Sequence, residues 1–398
     1  MGEWKHATLE SLCSEITVGH VGSMAGEYVP KGIPFLRSKN IRPGRIDLSG
    51  IVYIGVEFHE RLTKSRLREN DVVIVRTGVP GVAALVPAGF GPANCSDMII
   101  ARPGNAVDPR FLCYSINVTS GAFVSAHSVG AVQQHFNVGS AKNLKILVPP
   151  KLKDQHAVAE VLGALDDKIT LNERIRSTAL DLASACYESA AKSSQPETIG
   201  DLAALFDGPH ATPQKTREGA WFLSISSLKS GYLDLAESAH LSEEDFPRWT
   251  RRVQPQAGDV LFSYETRLGD AALMPAGIQG SLGRRMALLR SKSDSVSGAL
   301  LLHAYLASSF QEEIKRRTIH GATVDRLPLK EMPGWRIYLP AAGERARLSA
   351  ELDALHATVM QTSAENRTLA DLRDTLLPQL ITGKLRVKDA TRVVEEAV

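Results

Sequence analysis

Polar and basic side chains follow the predicted strands in the first half of the chain. The apolar run Asp71–Val75 predicts a buried strand that leads into Arg76-Thr-Gly, and the loop Gly130–His135 carries two adjacent glutamines. Arginine and glutamine suit paired hydrogen bonds to guanine and adenine edges, and lysine suits phosphate. These residue types therefore favour contacts to double-stranded DNA. The candidates in this half are Arg37, Lys39, Asn40, Arg42, Lys64, Arg66, Arg76, Thr77, Gln133 and Gln134.

The second half offers a comparable set at matching places. A predicted strand that begins at Asp259 leads into Ser263-Tyr-Glu-Thr-Arg267, and Arg284 is taken from the dipeptide Arg284-Arg285. Any one such residue is more often an ordinary solvated side chain, and it is the recurrence in both halves that favours a shared role. The candidates in this half are Arg251, Arg252, Ser263, Tyr264, Arg267, Arg284, Thr323 and Arg326.

The sequence carries no recognisable catalytic or metal-binding motif. It lacks a Walker phosphate loop, the His-Glu-x-x-His zinc motif and the Gly-x-Ser-x-Gly nucleophile turn. The four cysteines are far apart, and His127 and His135 have no cysteine or carboxylate at ligand spacing. We therefore expect no catalytic residue, no metal and no cofactor bound by this chain.

The chain repeats itself once along its length. Thr8-Leu-Glu-Ser-Leu corresponds to Thr198-Ile-Gly-Asp-Leu, 190 residues later. Asp71-Val-Val-Ile corresponds to Asp259-Val-Leu-Phe, 188 residues later. The loop that begins at Gly130 is answered at Gly321, 191 residues later. A nearly constant spacing over the whole length indicates a tandem duplication, in which each copy is a mixed α/β unit followed by a long helix.

Each copy ends in a predicted long helix with an apolar row at heptad spacing. Neither helix can bury this row alone, so we expect the two to pack side by side. Both rows turn polar at matching positions, Asn172 and Arg176 in one and Thr362 and Asn366 in the other, which would fix their register. The residues of the predicted seam are Val158, Leu162, Leu165, Ile169, Leu348, Leu352, Leu355 and Val359.

These patterns predict an α/β fold of two globular mixed α/β domains separated by two long antiparallel coiled-coil helices, as a pseudo-twofold tandem repeat. The predicted segments are a first domain at 1–150, a helix at 151–193, a second domain at 194–340, a second helix at 341–380 and a tail at 381–398. Pro378 is expected to kink or end the second helix, and Gly383 to start a turn.

Composition places the chain among ordinary folded proteins, with 43% hydrophobic and 23% charged residues. No apolar run reaches the length of a membrane span, and residues 1–30 lack a secretory signal. With its separated cysteines the protein is expected in the cytoplasm. A net charge of +2 favours no partner, so any charge that binds DNA must be local.

The chain resembles the specificity subunit of type I restriction–modification systems over essentially its full length. The resemblance lies in Asp71-Val-Val-Ile-Val-Arg-Thr-Gly, in the loops that begin at Gly130 and Gly321, and in two strands that end in proline. Its most specific mark is Leu372-Arg-Asp-Thr-Leu-Leu-Pro-Gln-Leu-Ile-Thr-Gly-Lys-Leu. One departure is that the second copy carries Tyr264-Glu-Thr-Arg where the first has Arg76-Thr-Gly. There Glu265 would repel phosphate or accept a hydrogen bond from cytosine.

The resemblance implies a non-catalytic subunit of a methyltransferase and ATP-dependent endonuclease complex. Each domain would be a target-recognition domain that reads one half of a bipartite DNA site. The helices would dock two methylation subunits, and motor–nuclease subunits would then join. S-adenosylmethionine, ATP and Mg²⁺ would belong to those partner subunits, and no membrane partner is expected.

Two other hypotheses about the function compete with that of a DNA specificity subunit. A coiled-coil adaptor with two ligand- or protein-binding heads would explain the seam and the modest net charge, but not the basic loops in both copies. A methyltransferase or nuclease activity within this chain would need motifs that the sequence lacks.

Overall fold

The computed structural model describes residues 4–127, 136–191 and 195–397. The chain forms two compact units, one made of residues 1–168 together with 368–398 and the other of residues 169–367. Each unit contains one globular domain and a part of each of two long helices. Domain and helix boundaries predicted from the sequence cut across these units, since each long helix contributes to both.

The first domain alternates short strands with short helices. Its strands are β1 (Lys5–Thr8), β2 (Cys13–Val18), β3 (Tyr28–Val29), β4 (Ile33–Leu36), β5 (Ile41–Arg42), β6 (Arg45–Ile46), β7 (Val52–Ile54), β8 (Val72–Val75), β9 (Ala83–Leu85), β10 (Asn94–Cys95), β11 (Met98–Pro103) and β12 (Lys145–Val148). Its helices are α1 (Leu9–Leu12), α2 (Val56–Arg61), α3 (Pro109–His127) and α4 (Val138–Lys142). The fold is therefore mixed α/β, as predicted.

The main sheet of this domain is antiparallel, with strand order β2-β11-β8-β9, and α3 packs against it. All four residues of β8 are buried, as its unbroken Val/Ile run predicts for a strand covered on both faces. A second sheet has the order β10-β4-β7-β3, in which β10 runs parallel to β4. Helix α1 begins with a side-chain cap, in which the Thr8 hydroxyl accepts the Ser11 N–H at 3.3 Å.

The second domain repeats this arrangement. Its strands are β13 (Gln195–Thr198), β14 (Ala203–Asp207), β15 (Ala220–Phe222), β16 (Leu228–Lys229), β17 (Tyr232–Leu233), β18 (Ala239–Leu241), β19 (Val260–Ser263), β20 (Ala271–Leu273), β21 (Gly280–Ser281), β22 (Met286–Ser291) and β23 (Arg336–Leu339). Its helices are α6 (Ile199–Leu202), α7 (Phe246–Trp249), α8 (Gly298–Leu306) and α9 (Ser308–Arg317). The main sheet has the order β14-β22-β19-β20, which matches that of the first domain strand for strand.

A buried aspartate fixes the same turn in both domains. The carboxylate of Asp71 accepts the Arg68 N–H at 2.9 Å, and that of Asp259 accepts the Gln256 N–H at 2.7 Å. An arginine from the neighbouring strand pairs with each carboxylate, Arg102 at 3.5 Å in one domain and Arg290 at 2.7 Å in the other. This repeated detail, together with the shared strand order, confirms the predicted duplication.

The long helices are α5 (Leu152–Ala190) and α10 (Ala342–Ile381), and α11 (Val387–Ala397) follows. At 1.5 Å per residue each long helix extends about 60 Å. In the second unit they run antiparallel. The Asn172 amide of α5 donates to Glu365 at 2.8 Å and to Asn366 at 2.9 Å, while Tyr187 shares a buried core with Leu352 of α10.

The polar break in the predicted seam is thus an interhelical hydrogen-bond contact. Asn172 is 1% exposed, and Asn366 donates back to the Ile169 carbonyl at 3.2 Å. Arg176 leaves the seam and lies over the Tyr232 ring, 4.2 Å from its centroid, and Thr362 donates to the Thr358 carbonyl of its own helix. Only one of the two polar positions on each helix therefore joins this contact.

Most of the predicted seam is buried. Ile169 and Leu355 are partly exposed, whereas the other members are at most 2% exposed. Leu348 and Leu352 belong to the core of the second domain, so this end of α10 also packs against the domain. The buried members are Val158, Leu162, Leu165, Leu348, Leu352 and Val359.

Of the two outcomes predicted for Pro378, a kink or an end of the helix, the second is wrong. Helix α10 continues through Pro378 and ends at Ile381, because a proline in the last turn removes one hydrogen bond only, that to the Asp374 carbonyl. The Thr382 hydroxyl donates to the Pro378 carbonyl at 2.6 Å. The predicted turn follows at Gly383, where φ is 68° and the Trp4 ring leaves no room for a side chain.

A buried histidine pair joins the second domain to α10. The Nε2 atoms of His303 in α8 and His356 lie 3.0 Å apart, and both residues are at most 3% exposed. One ring must donate and the other accept, so at least one of the two rings must be neutral. Burial lowers the pKa of both histidines below the usual 6.5, since the charged form loses its hydration.

We therefore expect the second unit to lose stability as the pH falls below 6.5, because the two histidines bind protons in the unfolded chain but stay neutral in the folded one. The loss should reach about 2 kcal/mol per histidine, and so about 4 kcal/mol for the pair, at pH 5, at about 1.36 kcal/mol per pKa unit. Denaturant unfolding at pH 7.5, 6 and 5 would measure it. The His303→Leu/His356→Leu variant should show a flatter pH dependence, and an unchanged slope would assign the effect to other groups.

Candidate nucleic-acid interface

Separate stretches of chain meet where the central strand of each main sheet ends. In the first domain the Phe136 N–H donates to the Arg76 carbonyl at 3.0 Å, so the chain that leaves the Gly130–His135 loop lies beside the strand end. In the second domain the Leu327 N–H donates to the Tyr264 carbonyl at 2.9 Å. Phe136 in the first domain and Leu327 in the second, both far from the strand end in the sequence, thus lie beside it in the fold.

Arg76 is held in place by a carboxylate. It forms an ion pair with Asp97, the residue immediately before β11, and 14% of its side chain is exposed. A guanidinium positioned in this way needs less ordering when it binds a ligand. Thr77 beside it is exposed, whereas the predicted candidates Gln133 and Gln134 lie outside the described residues.

The basic segment after β4 lies near Arg76. The Ser96 N–H donates to the Leu36 carbonyl at 2.8 Å, so Arg37 and Asp97 each follow a residue of this contact. Arg37 donates to the Gly50 carbonyl at 2.9 Å. Lys39 is exposed, and Arg42 pairs with Asp47 at 3.4 Å with about half of its side chain in solvent. These cations add positive charge beside the strand end.

Asn40 has a different environment from its basic neighbours. It is 0% exposed, its carbonyl accepts the Arg37 N–H at 3.0 Å, and its amide donates to the carbonyls of Asp47 at 2.9 Å and Ser49 at 3.2 Å. The side chain thus holds the turn that carries the exposed cations. We leave Asn40 out of the proposed interface for this reason.

The two basic candidates near α2 also differ in accessibility. Arg66 donates to the carbonyls of His59 at 3.3 Å and Glu60 at 2.7 Å and is only partly exposed, so much of its guanidinium serves the end of α2. Lys64 is exposed and can reach a phosphate without losing an internal contact.

In the second domain two of the predicted contact residues face inward. Ser263 is 0% exposed and its hydroxyl donates to the Glu265 carbonyl at 2.5 Å. Tyr264 is 5% exposed, and burial raises its pKa to about 12. Arg267 is exposed and pairs with Asp270 at 2.5 Å. Ser263 and Tyr264 therefore shape the loop, while Arg267 remains accessible.

The remaining candidates of this domain are exposed. Arg252 donates to Asp207 at 3.3 Å and to the Gly208 carbonyl at 3.0 Å, and it keeps 56% of its side chain in solvent. The others that are exposed are Arg251, Arg284, Thr323 and Arg326.

Arg285 is a residue that the sequence-based selection passed over. It lies immediately before β22 and forms an ion pair with Glu265 at 3.2 Å, and its Nη1 donates to His210 Nδ1 at 2.9 Å. His210 in turn contacts Asp207 through Nε2 at 2.8 Å. The signal that could have identified it is its position in the repeat, since Asp97 occupies the same place before β11.

The two domains also differ beside the basic segment. Arg37 of the first copy corresponds to Ser224 of the second, at an offset of 187 residues. A cavity of about 270 Å³ lies at Ser224 and is also lined by Lys215, Glu237 and Arg284. The corresponding backbone therefore carries an arginine in the first copy, whereas in the second it carries a serine that borders a cavity.

Two classes of site find no support in the part of the chain that the structure describes. Over residues 4–127, 136–191 and 195–397, no three His, Cys, Asp or Glu side chains are grouped so that they could hold a metal ion. Over the same ranges, no helix is long and apolar enough to cross a membrane.

Comparisons with known proteins agree in the class they indicate. The family model described as the type I restriction modification DNA specificity domain matches residues 1–179. The putative type I restriction enzyme MjaX specificity subunit of Methanocaldococcus jannaschii is 20% identical over an alignment that covers 97% of this chain and 94% of that protein.

Solved structures also align with this chain over nearly its full length. The type I restriction–modification S subunit of M. genitalium aligns with a TM-score of 0.57 and 16% identity, covering 95% of this chain and 96% of that one. This likeness supports the fold. The HsdS subunit of Thermoanaerobacter tengcongensis aligns with a TM-score of 0.36 and 18% identity, covering 96% and 97%.

Adjacent residues of the basic turn allow a test of the division between structural and contacting side chains. We expect Asn40→Ala to lower the free energy of unfolding by about 1–3 kcal/mol, because the Asp47 and Ser49 carbonyls lose their donor. The neighbouring Lys39→Ala should leave stability unchanged and weaken DNA binding. Denaturant unfolding and a DNA titration of each variant would measure both effects. An Asn40→Ala protein of normal stability would contradict the assignment.

Proposed function

We propose that this chain is a type I restriction–modification specificity subunit and that each of its domains reads one half of a bipartite DNA site. The family model that matches residues 1–179 supports this proposal. The observation that carries the proposal is a pair of domains with one strand order but different side chains at the strand-end site. Two half-sites of different sequence require two surfaces of this kind on a common frame.

The proposed DNA contacts are the accessible polar and basic residues around each strand end. Arg76 is assigned to a base edge, because a held guanidinium can donate two hydrogen bonds to guanine, and Lys39 and Lys64 are assigned to phosphates. Arg66, Ser263 and Tyr264 are assigned to loop support. The full set of proposed contacts is Arg37, Lys39, Arg42, Lys64, Arg76, Thr77, Arg251, Arg252, Arg267, Arg284, Thr323 and Arg326.

In this proposal the chain recognises DNA and performs no chemistry. The methylation subunits would bind S-adenosylmethionine, and the motor–nuclease subunits would use ATP and Mg²⁺. Support comes from the sequence, which lacks the motifs that those reactions need. The predicted segments 1–150, 151–193, 194–340, 341–380 and 381–398 are kept as a proposal for the functional division of the chain.

An exposed apolar stripe on α5 supports docking of a methylation subunit. Leu171, Ile175 and Leu182 are 51%, 38% and 52% exposed, and their spacing of four and seven residues places them on one face of the helix. The stripe extends over about two to three turns of the helix. A single exposed leucine is common on protein surfaces, whereas a continuous apolar stripe marks an interaction site. The matching positions of α10 include Gln361 and Glu365, so a second methylation subunit would use different contacts there.

The experiment that tests the function is co-expression with the methylation subunit of the same source organism, followed by mapping of methylated adenine in the host DNA. Methylation at a split motif that disappears when this chain is deleted is the expected result. Copurification without any motif would contradict recognition by these loops. Neither copurification nor methylation would leave the adaptor with two binding heads as the better description.

We expect Arg76→Ala to weaken specific DNA binding by about 1–3 kcal/mol and to relax one position of one half-site, because the bidentate contact is lost. Competition titrations with the mapped motif and with scrambled DNA would measure this. Arg386→Ala, which removes an exposed arginine paired with Asp389 in the tail, is the matched control. An equal loss on all sequences would instead assign Arg76 to a phosphate.

The docking stripe is tested by Leu182→Glu, which places a charge in the proposed apolar contact. We expect the variant to melt like the parent protein, since Leu182 is exposed, and to retain at least tenfold less methylation subunit on copurification. Ser177→Glu adds the same charge at an exposed position about 140° round the helix and should have no effect. Equal retention by both variants would place the contact elsewhere.

A further inference from the structure

We infer that Arg285 is the specificity-determining arginine of the second domain and the counterpart of Arg76 in the first. The inference rests on the proposed function and names the residue that reads DNA in a domain whose strand-end loop departs from the first copy. Its basis is the register of the strands, the exchange of charges across them and the contacts that hold the guanidinium.

The strand register places Arg285 at the same site as the Arg76–Asp97 pair. Met98 lies opposite Val75 in the first main sheet, so Arg76 and Asp97 face each other at the next position. Met286 lies opposite Ser263 in the second, so Tyr264 and Arg285 face each other there. The Tyr264 N–H donates to the Arg285 carbonyl at 3.3 Å, which is direct evidence of this cross-strand neighbourhood.

The arginine and the carboxylate of this ion pair occupy opposite positions in the two copies. In the first domain the arginine follows the central strand and the carboxylate precedes the adjacent one. In the second domain Glu265 follows the central strand and Arg285 precedes the adjacent one, with an ion pair at 3.2 Å. Glu265 therefore forms an ion pair with an arginine at the strand end, as Asp97 does. Because this arginine balances its negative charge, Glu265 does not oppose the binding of DNA phosphate.

Arg285 is positioned by a second contact and remains accessible. His210 Nδ1 accepts from its Nη1 at 2.9 Å, while Nε2 of the same ring contacts Asp207 at 2.8 Å. This arrangement fixes the ring with its proton on Nε2 when the ring is neutral. A guanidinium has five N–H donors, and 29% of the Arg285 side chain is exposed, so donors remain for a base edge.

The neighbouring arginines fit this role less well. Arg267 points back into its own loop, where it pairs with Asp270 at 2.5 Å and donates to the Leu228 carbonyl at 3.4 Å. Arg284 lines the cavity beside Ser224, away from the cross-strand position. Arg285 also adopts φ = 65°, a conformation that costs a non-glycine residue free energy and that is typical of constrained functional sites.

The base class follows from the side chain. Arginine with two parallel N–H donors matches the O6 and N7 acceptors of guanine in the major groove. We therefore assign Arg285 to a guanine in the half-site read by the second domain. Lysine keeps the charge but lacks the planar fork, so the exchange Arg285→Lys separates base reading from simple attraction to DNA.

The test maps methylated bases after co-expression of each variant with the methylation subunit. We expect Arg285→Lys and Arg285→Ala to lower the preference for guanine at one position of one half-site by about tenfold or more. This half-site should be the one that Arg76→Ala leaves unchanged. Arg316→Ala, which removes an exposed arginine of α9 outside the proposed contacts, should leave both half-sites intact, and Arg267→Ala is measured beside it. A melting curve of each variant shows whether it folds, and Arg285→Lys decides if Arg285→Ala unfolds.

The outcomes separate this inference from the proposed function. If Arg76→Ala relaxes one half-site while both Arg285 variants leave the other intact, the inference is overturned and the function stands. If the parent chain directs no bipartite methylation at all, the proposed function fails and the inference falls with it. If Arg267→Ala relaxes the guanine position and Arg285→Lys does not, the role belongs to Arg267.

Discussion

The burial of two apolar stripes against each other is the constraint on which this molecule depends. Each long helix is about 60 Å of amphipathic chain that has no stable structure alone in water. Leu162 and Leu165 on one helix and Val359 on the other are buried, and Asn172 of the first helix donates to Asn366 of the second. A slipped pairing would bury this amide without a partner, so the polar contact selects one register at a small cost in stability.

Duplication supplied the frame, and exchange of side chains made the two copies different. The buried aspartates Asp71 and Asp259 keep their turns and their arginine partners, so the strand ends are presented in the same way. At the surface, Arg37 of the first copy corresponds to Ser224 of the second, which lines a cavity. Conservation inside and divergence at the strand ends are what a protein with two separate targets requires.

Local pattern in the sequence was sufficient for much of the fold. The buried run at Asp71–Val75, the cap at Thr8 and the heptad rows each follow from chemistry within a few residues, and the constant offset revealed the repeat. The predicted helix at 341–380 agrees with α10, but Pro378 does not end it, because one lost hydrogen bond in a last turn is tolerated.

The site was harder to predict because it depends on pairing between distant strands. Asn40 looks like its exposed neighbours in the sequence, yet it is buried by carbonyls seven and nine residues away. The position of Arg285 at the strand end follows only from the strand register, which places it opposite Tyr264. A side chain's type indicates what it can bind, whereas its exposure and its partners are set by tertiary contacts.

The first unit is assembled from both ends of the chain, and this has a consequence for folding during synthesis. Residues 169–367 are contiguous and can fold as soon as they leave the ribosome. The first unit also needs residues 368–398, which supply Arg373 to pair with Asp166 at 2.9 Å and set Gly383 against Trp4. Its contacts therefore have a high contact order, and the domain made first is the last to be completed.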